Sequence, residues 1–139
     1  MADIAYNAGL DVMSGFVAGT FRFLLLKNGV GADPDLVYVD DLTPGTNEIT
    51  VSGYSRQTAG TKSRTVDNTL NRITYDCDDP AFGTLVAGET VTGMVLYEFV
   101  TNDADSILVA YYDLTDAATA GTAFTVVLAS TGCYYVDQG

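Results

Sequence analysis

The sequence contains no histidine and no tryptophan, and only 6 of its 139 residues are lysine or arginine. Without histidine, the chain lacks the commonest general base and the commonest metal ligand of proteins. We therefore expect a protein that is not an enzyme and that needs no metal and no cofactor. The shortage of bases leaves a formal net charge of −12, which repels phosphate backbones and argues against a nucleic-acid partner.

Long apolar runs and cysteine-rich patterns are also missing. The longest early apolar stretch, residues 16–26, is interrupted by polar residues and a glycine, so we expect no membrane span. The start of the chain lacks the basic region of a signal peptide, which predicts synthesis in a cytosol. The two cysteines, Cys77 and Cys133, are expected to be free buried thiols, because a domain of this size does not need a disulfide.

The residues that are abundant favour β-structure. Val, Ile, Thr, Phe and Tyr dominate, whereas Lys, Glu, Gln and Met are scarce. Apolar and polar residues alternate, as is typical of strands, in segments that are separated by Gly, Asn and Asp residues. No clear helical pattern follows residue 18. The sequence predicts an all-β fold, a single-domain antiparallel β-sandwich or jelly roll of about eight strands over residues 19–139. A short N-terminal helix or arm is predicted over residues 1–18.

Several segments carry specific expectations. Residues 21–26 are apolar on both faces, which predicts a strand covered on both sides. The sequence of residues 28–46 predicts a long irregular segment, called the excursion below, that contains a strand or one helical turn. Ile49 and Val51 predict the inner face of a short strand. Residues 62–67 and 70–77 predict a hairpin. Residues 90–100 and 106–114 predict two long neighbouring strands, with Gly93 marking a bulge or a close backbone approach in the first of them. The last two strands are predicted over residues 122–129 and 132–136.

Charged clusters supply two candidate sites. The run Asp76-Cys77-Asp78-Asp79 offers hard oxygen ligands for Ca²⁺, but it lacks the spacing of a calcium loop, so we interpret it as a solvated strand end. Four of the six bases lie within residues 56–72 and predict a basic sector that meets an acidic partner or a neighbouring copy, with a solvated hairpin face as the alternative. These bases are Arg56, Lys62, Arg64 and Arg72.

Tyrosine doublets at residues 111–112 and 134–135 supply a third candidate. Neighbouring residues of a strand point to opposite faces, so each doublet sends one ring inward and one outward. Tyrosine offers a large contact area at a small cost in entropy. We therefore predict Tyr112 and Tyr135 as interface residues, with ordinary exposure as the alternative.

The order of several short blocks resembles a family of small virion proteins of tailed bacteriophages. No block is a chemical signature, and the resemblance lies in their succession along nearly the whole chain. The blocks are Ala5-Tyr6-Asn7, the hydrophobic strand at 21–26, Asn47-Glu48-Ile49 with Gly53-Tyr54, the run 71–79, Gly93-Met94-Val95-Leu96-Tyr97, residues 107–113, and Phe124-Thr125-Val126.

The resemblance implies a structural virion component, a capsid decoration or cement protein that binds the outside of the major capsid protein shell and stabilises it. We expect a homo-oligomer, with a trimer preferred over a dimer. Alternatives are a neck or tail protein and a glycan-binding module of the virion. The N-terminal segment is expected to dock or to contact other subunits, and its deletion to leave a folded domain; its candidate contact residues are Ile4, Tyr6, Leu10, Met13 and Phe16.

Overall fold

The computed structural model describes residues 3–137, apart from the side chains of residues 10 and 11. Over this range the chain forms antiparallel strands in three sheets and four short helical segments, which confirms the predicted all-β sandwich class. The helical segments are α1 (Gly9–Val12), α2 (Pro44–Asn47) and the 3-10 turns Met13–Gly15 and Val39–Leu42. The strands are β1 (Ile4–Ala5), β2 (Phe21–Leu26), β3 (Gln57–Thr58), β4 (Ser63–Asp67), β5 (Arg72–Asp76), β6 (Ala81–Leu85), β7 (Thr90–Glu98), β8 (Ile107–Ala118), β9 (Thr122–Thr125) and β10 (Tyr134–Asp137).

The largest sheet has the strand order β1-β8-β7-β2-β3. Its centre consists of the two long predicted neighbours, β7 and β8, with β2 paired along β7. A second sheet has the order β10-β5-β4 and contains the predicted hairpin, and β6 pairs with β9 in a third. Alternating apolar residues in these segments favour strands because each pleat presents every second side chain to a core.

Strand β2 is buried on both faces, as its sequence predicts. Phe21, Phe23 and Leu25 belong to the larger core cluster, whereas Leu24 and Leu26 belong to a separate, smaller cluster on the other face. All five side chains are fully buried. Burying one such side chain stabilises the fold by roughly 1.5–3 kcal/mol, so this strand anchors both halves of the interior.

The excursion over residues 28–46 covers the smaller cluster. It contains the Val39–Leu42 turn and α2, so the predicted helical turn is present, and Val39 and Leu42 are buried against β2. The Tyr6 hydroxyl donates a hydrogen bond of 2.6 Å to the Gly31 carbonyl, which ties the N-terminal segment to the excursion. An irregular segment therefore closes one side of the largest sheet.

Gly93 marks both features that its position predicts. The register of β7 against β8 shifts between Val91 and Gly93. A Cβ atom at residue 93 would lie only 2.5 Å from the ring of Tyr111, so a side chain at this position would displace a buried aromatic ring. The glycine therefore lets the Tyr111 ring lie directly against the backbone.

Two sequence predictions about local structure need correction. Ile49 is buried and Val51 half-buried, as their alternation predicts, but this segment is not a strand, because its pairing is the single bridge between Leu26 and Glu48. The strand number also exceeds the expected eight, since the described range includes the two-residue strands β1 and β3 and the five-residue strand β6, for which no strand was predicted. Such short pairings have no periodic signal that a sequence pattern reveals.

Candidate docking surface

One end of the three-stranded sheet carries exposed apolar side chains. Tyr75 and Tyr134 are paired in register and buried. Two residues further along, Val66, Ile73 and Val136 form the next row on the same face. Val66 is 55% exposed and Val136 is 43% exposed, whereas Ile73 between them is half-buried and packs against the larger core cluster.

We define the sheet tip as Val66, Leu70, Ile73, Tyr135 and Val136. Leu70 lies in the hairpin turn and is half exposed; the turn is shaped by the Asp67 carboxylate, which accepts hydrogen bonds of 2.9 Å from the backbone N–H groups of Thr69 and Leu70. Single exposed apolar residues are ordinary, but a cluster of them marks a contact surface. The sheet tip brings such residues to one end of the sheet, with the row of Val66, Ile73 and Val136 on one face and Tyr135 on the other.

Tyr135 lies on the opposite face of the same sheet. It is 50% exposed, whereas its neighbour Tyr134 is buried, so the predicted division of this doublet is confirmed. The Arg72 guanidinium lies 5.0 Å from the centre of the Tyr135 ring, within range of a cation–π contact. Tyr135 is therefore a partly supported aromatic ring that keeps half of its surface available.

Arg56 does not belong to a basic sector, because its guanidinium is engaged inside the molecule. It donates hydrogen bonds of 2.7 Å to both carboxylate oxygens of Glu48, and bonds of 2.6 and 2.9 Å to Asp103. A further bond of 3.2 Å reaches the Tyr97 hydroxyl. Burial opposes the charge, but these hydrogen bonds outweigh it and raise the pKa of Arg56.

The other three bases do not form one patch either, so the predicted basic sector is wrong as a contiguous surface. The Lys62 ammonium donates a hydrogen bond to the Gly19 carbonyl and lies 5.5 Å from the centre of the Phe21 ring. Arg64 is exposed and shares a face with Val66, whereas Arg72 is on the other face of the sheet. Arg64 and Arg72 therefore flank the sheet tip from opposite faces.

The N-terminal candidates are core residues rather than docking residues. Tyr6, Met13 and Phe16 are at most 1% exposed, because this segment packs against β8 and β2. Ile4 is half-buried and pairs in register with Tyr111 as part of β1. The side chain of Leu10 lies outside the described part of the chain. The expectation of a docking arm is therefore corrected for the three core residues, whose side chains have no free surface.

Tyr112 is also used internally. Its hydroxyl donates a hydrogen bond of 2.7 Å to the Cys133 carbonyl, and its ring lies 6.4 Å from that of Phe23. Burial raises the pKa of Tyr112 well above its ordinary value. The expectation that one ring of this doublet points outward fails because β8 has a core cluster on each face. The Tyr111 ring enters the smaller cluster, and the Tyr112 ring packs against the larger one.

A groove of about 570 Å³ lies beside the sheet tip. It separates β1 and the middle of β8 from the segment over residues 126–137. Its lining is mixed, with apolar side chains and the carboxylates of three aspartates, and includes Cys133 and Tyr135. The groove therefore gives solvent a route to the neighbourhood of Cys133.

The aspartates of the acidic run make structural contacts. Asp78 accepts a hydrogen bond of 2.7 Å from the Thr61 hydroxyl, and Asp79 accepts one of 2.8 Å from the Leu128 backbone N–H. Elsewhere Asp41 and Asp105 each accept bonds from two backbone N–H groups of their own loops. Within residues 3–137, no group of three or more Cys, Asp or Glu side chains is arranged to hold a metal ion.

The chain has no match among protein-family models, curated proteins or solved structures. Among the helical segments of the described range, none has the length and apolar character needed to cross a membrane.

Of the sequence-predicted contact residues, the structure brings Arg64, Arg72 and Tyr135 to one sheet. Val66, Leu70, Ile73 and Val136 were not predicted as contacts. The alternation of Val66 with polar neighbours in the hairpin carries a signal for a shared face, but it does not reveal that this end of the face carries exposed side chains.

Proposed function

We propose that this chain is a capsid decoration protein, which attaches to the outside of a major capsid protein shell through the sheet tip and stabilises it. The observation that carries the proposal is the exposed end of the three-stranded sheet, where Val66, Val136 and Tyr135 are exposed and two arginines flank them. The resemblance of the chain to small virion proteins of tailed bacteriophages supports the same conclusion.

The chemistry of the sheet tip suits a protein contact. Interfaces are enriched in tyrosine and arginine, which cluster near the centre and contribute most of the binding energy. β-branched residues on paired strands lose little further rotamer freedom when a partner covers them. The tip therefore offers rigid apolar side chains on one face of the sheet and an aromatic anchor, Tyr135, on the other.

Oligomerisation and orientation form part of the proposal. A homo-oligomer, with a trimer preferred, would present several tips to a symmetric shell at once, and this multivalency would convert modest contacts into durable attachment. The net charge of −12 favours the outer surface of the shell, away from packaged nucleic acid.

The copy number in purified particles of the virus that encodes this chain tests the proposal. Quantitative mass spectrometry against the major capsid protein should give hundreds of copies per particle. About a dozen copies or fewer would instead assign the chain to the neck or tail, and absence from particles would overturn a virion role altogether.

A matched pair of variants tests the attachment surface. Tyr135→Ala should weaken binding to shells that lack the protein by about 10-fold or more, because it removes the anchor ring. Tyr38→Ala removes a ring of similar exposure, 40%, at a distant site and should bind as the wild type does. Equal binding of both variants would exclude Tyr135 as an anchor, and binding of the isolated protein to host glycans instead of shells would favour a glycan-binding module.

A further inference from the structure

Cys77 and Cys133 are brought together at the end of the β5–β10 pair. The ladder pairs Tyr75 with Tyr134, so Cys77 follows β5 by one residue and Cys133 precedes β10 by one residue. Both residues lie just outside the paired strands, and their thiols share a hydrogen bond, so the two sulfur atoms are as close together as the formation of a disulfide requires. Both side chains lie in the same core cluster, 8% and 6% exposed.

Three hydrogen bonds fix the position of Cys133. Its backbone N–H donates to the Tyr75 carbonyl at 2.9 Å, and its thiol donates to the same carbonyl at 3.3 Å. The Tyr112 hydroxyl donates to the Cys133 carbonyl at 2.7 Å from the neighbouring β8. On the other side, the residue after Cys77 is held by the bond of 2.9 Å from the Asp78 backbone N–H to the Gly60 carbonyl.

We propose that Cys77 and Cys133 are a reversible disulfide site, which fastens the C-terminal strand β10 to β5 when the protein meets an oxidising environment. The two cysteines are reduced in the structure. The inference does not depend on the proposed attachment to a shell, because it rests on the geometry of the strand pair alone.

The two thiols share a hydrogen bond that helps the pair to lose its first proton. This contact lowers the pKa of Cys77 despite burial and three neighbouring carboxylates. The same contact, together with burial, raises the pKa of Cys133. Thiolates are the attacking species in disulfide exchange, so the pair can supply the thiolate that starts the exchange.

The oxidation uses a low-molecular-weight disulfide, for which glutathione disulfide is the probe. The thiolate of one cysteine attacks one sulfur of the probe, which forms a mixed disulfide and releases one glutathione thiolate. The thiol of the other cysteine then loses its proton and attacks the cysteine sulfur of the mixed disulfide, which forms the internal disulfide and releases the second glutathione thiolate. The protein loses two electrons and two protons, and one glutathione disulfide becomes two thiols.

The full chain can be tested under native conditions with glutathione buffers of graded redox ratio. Intact mass should fall by about 2 Da, thiol titration should fall from two groups to none, and peptide mapping should identify the 77–133 link. The disulfide closes a loop of about 57 residues, so the unfolding midpoint Tm should rise by about 5–15 °C. Reduction with dithiothreitol should reverse all of these changes.

Single-thiol variants provide the controls. Cys77→Ser and Cys133→Ser should each form no internal link and show no rise in Tm on oxidation, and Cys133→Ala serves if the serine variant does not fold. Two thiols that remain free in excess glutathione disulfide would overturn the proposal. Oxidation that yields only intermolecular dimers, or a link with an unchanged or lower Tm, would overturn it as well.

Discussion

Arg56 joins three parts of the chain through one side chain. Its guanidinium bonds to Glu48 after α2, to Tyr97 on β7, and to Asp103 in the turn before β8. A planar guanidinium with five donors can form two hydrogen bonds to each of two carboxylates at once, which a lysine ammonium with three donors cannot do. The residue therefore organises one edge of the sandwich and is not free for a partner.

Arg56→Ala should lower the free energy of unfolding by about 1–3 kcal/mol, because Glu48 and Asp103 lose their shared counter-charge while half-buried. Urea unfolding followed by circular dichroism measures the change. Arg64→Ala is the matched control, since Arg64 is exposed on β4, and it should change stability by less than about 0.5 kcal/mol. Equal effects of the two variants would contradict the structural role of Arg56.

Glu89 makes the stability depend on pH. Its carboxylate accepts hydrogen bonds from Lys27 and from the backbone N–H and hydroxyl of Thr50. Burial opposes ionisation, but these bonds outweigh it and lower the pKa of Glu89 from 4.5 to about 2. The unfolded chain therefore binds the proton more readily than the folded protein does. The stabilising contribution is complete above pH 4.5 and disappears as the pH falls towards 2.

Glu89→Gln tests this pH dependence. The variant should have a Tm about 1–4 °C below that of the wild type at pH 7, as expected for a solvent-accessible charged pair. This difference should shrink steadily as the pH is lowered from 5 to 3, because the unfolded wild type then takes up a proton at Glu89 that the folded protein does not, whereas the variant has no such group. A difference that stays constant over this range would show that Glu89 contributes through packing alone.

At the scale of single elements, the N-terminal segment is part of the sandwich. β1 pairs with β8, and the rings of Phe16 and Phe21 lie 4.9 Å apart. Apolar residues at near-helical spacing predict a short helix equally well whether it is free or docked, so the sequence pattern could not distinguish an arm from a core element. Deletion of residues 1–18 is therefore expected to unfold the domain, contrary to the expectation from the sequence.

A pair of neighbouring substitutions tests the packing of this segment. Phe16→Ala should lower the free energy of unfolding by about 3–5 kcal/mol, because the ring is fully buried and leaves a cavity. Val17→Ala changes a side chain that is 51% exposed and should cost less than about 0.5 kcal/mol. Denaturant titration of both variants provides the comparison. A small effect of Phe16→Ala would restore the interpretation of residues 1–18 as a separable arm.

The strands themselves were largely predictable. Alternation predicted the hairpin of β4 and β5, the long neighbours β7 and β8, and the two-sided burial of β2, because period-two patterns report directly on faces. The segment around Ile49 shows the limit, since its side chains alternate correctly while its backbone finds only one bridge partner. Pairing is a property of two segments and is therefore not encoded in either one alone.

The candidate site was less predictable, for the same reason. Tyr135 was expected outside and is outside, whereas Tyr112 was expected outside and is half-buried against the larger core cluster. The difference is whether a second layer covers the strand, and that depends on the excursion and the N-terminal segment. A sequence pattern identifies which residues share a face, but it does not say which faces remain uncovered.

At the scale of the whole molecule, the charge of −12 predicts a strong response to salt. Raising ionic strength from about 0.01 M to 0.15 M shortens the screening length from about 30 Å to about 8 Å, which weakens repulsion among the acids. We expect Tm to rise by several degrees over this range, measured by scanning calorimetry. A double variant with two added bases at exposed sites, Thr115→Lys and Ser130→Lys, should respond less. An equal response of both proteins would contradict repulsion as the cause.

Part of this negative net charge comes from the way the loops are built. Asp41, Asp67, Asp79 and Asp105 bind backbone N–H groups that would otherwise lack partners, so these carboxylates replace main-chain acceptors where the chain leaves regular strands. An engineer who neutralised this protein would have to keep an acceptor oxygen at these positions, as asparagine does, because each carboxylate accepts its backbone bonds through a single oxygen. Its acidic isoelectric point is in part a by-product of how its turns are closed.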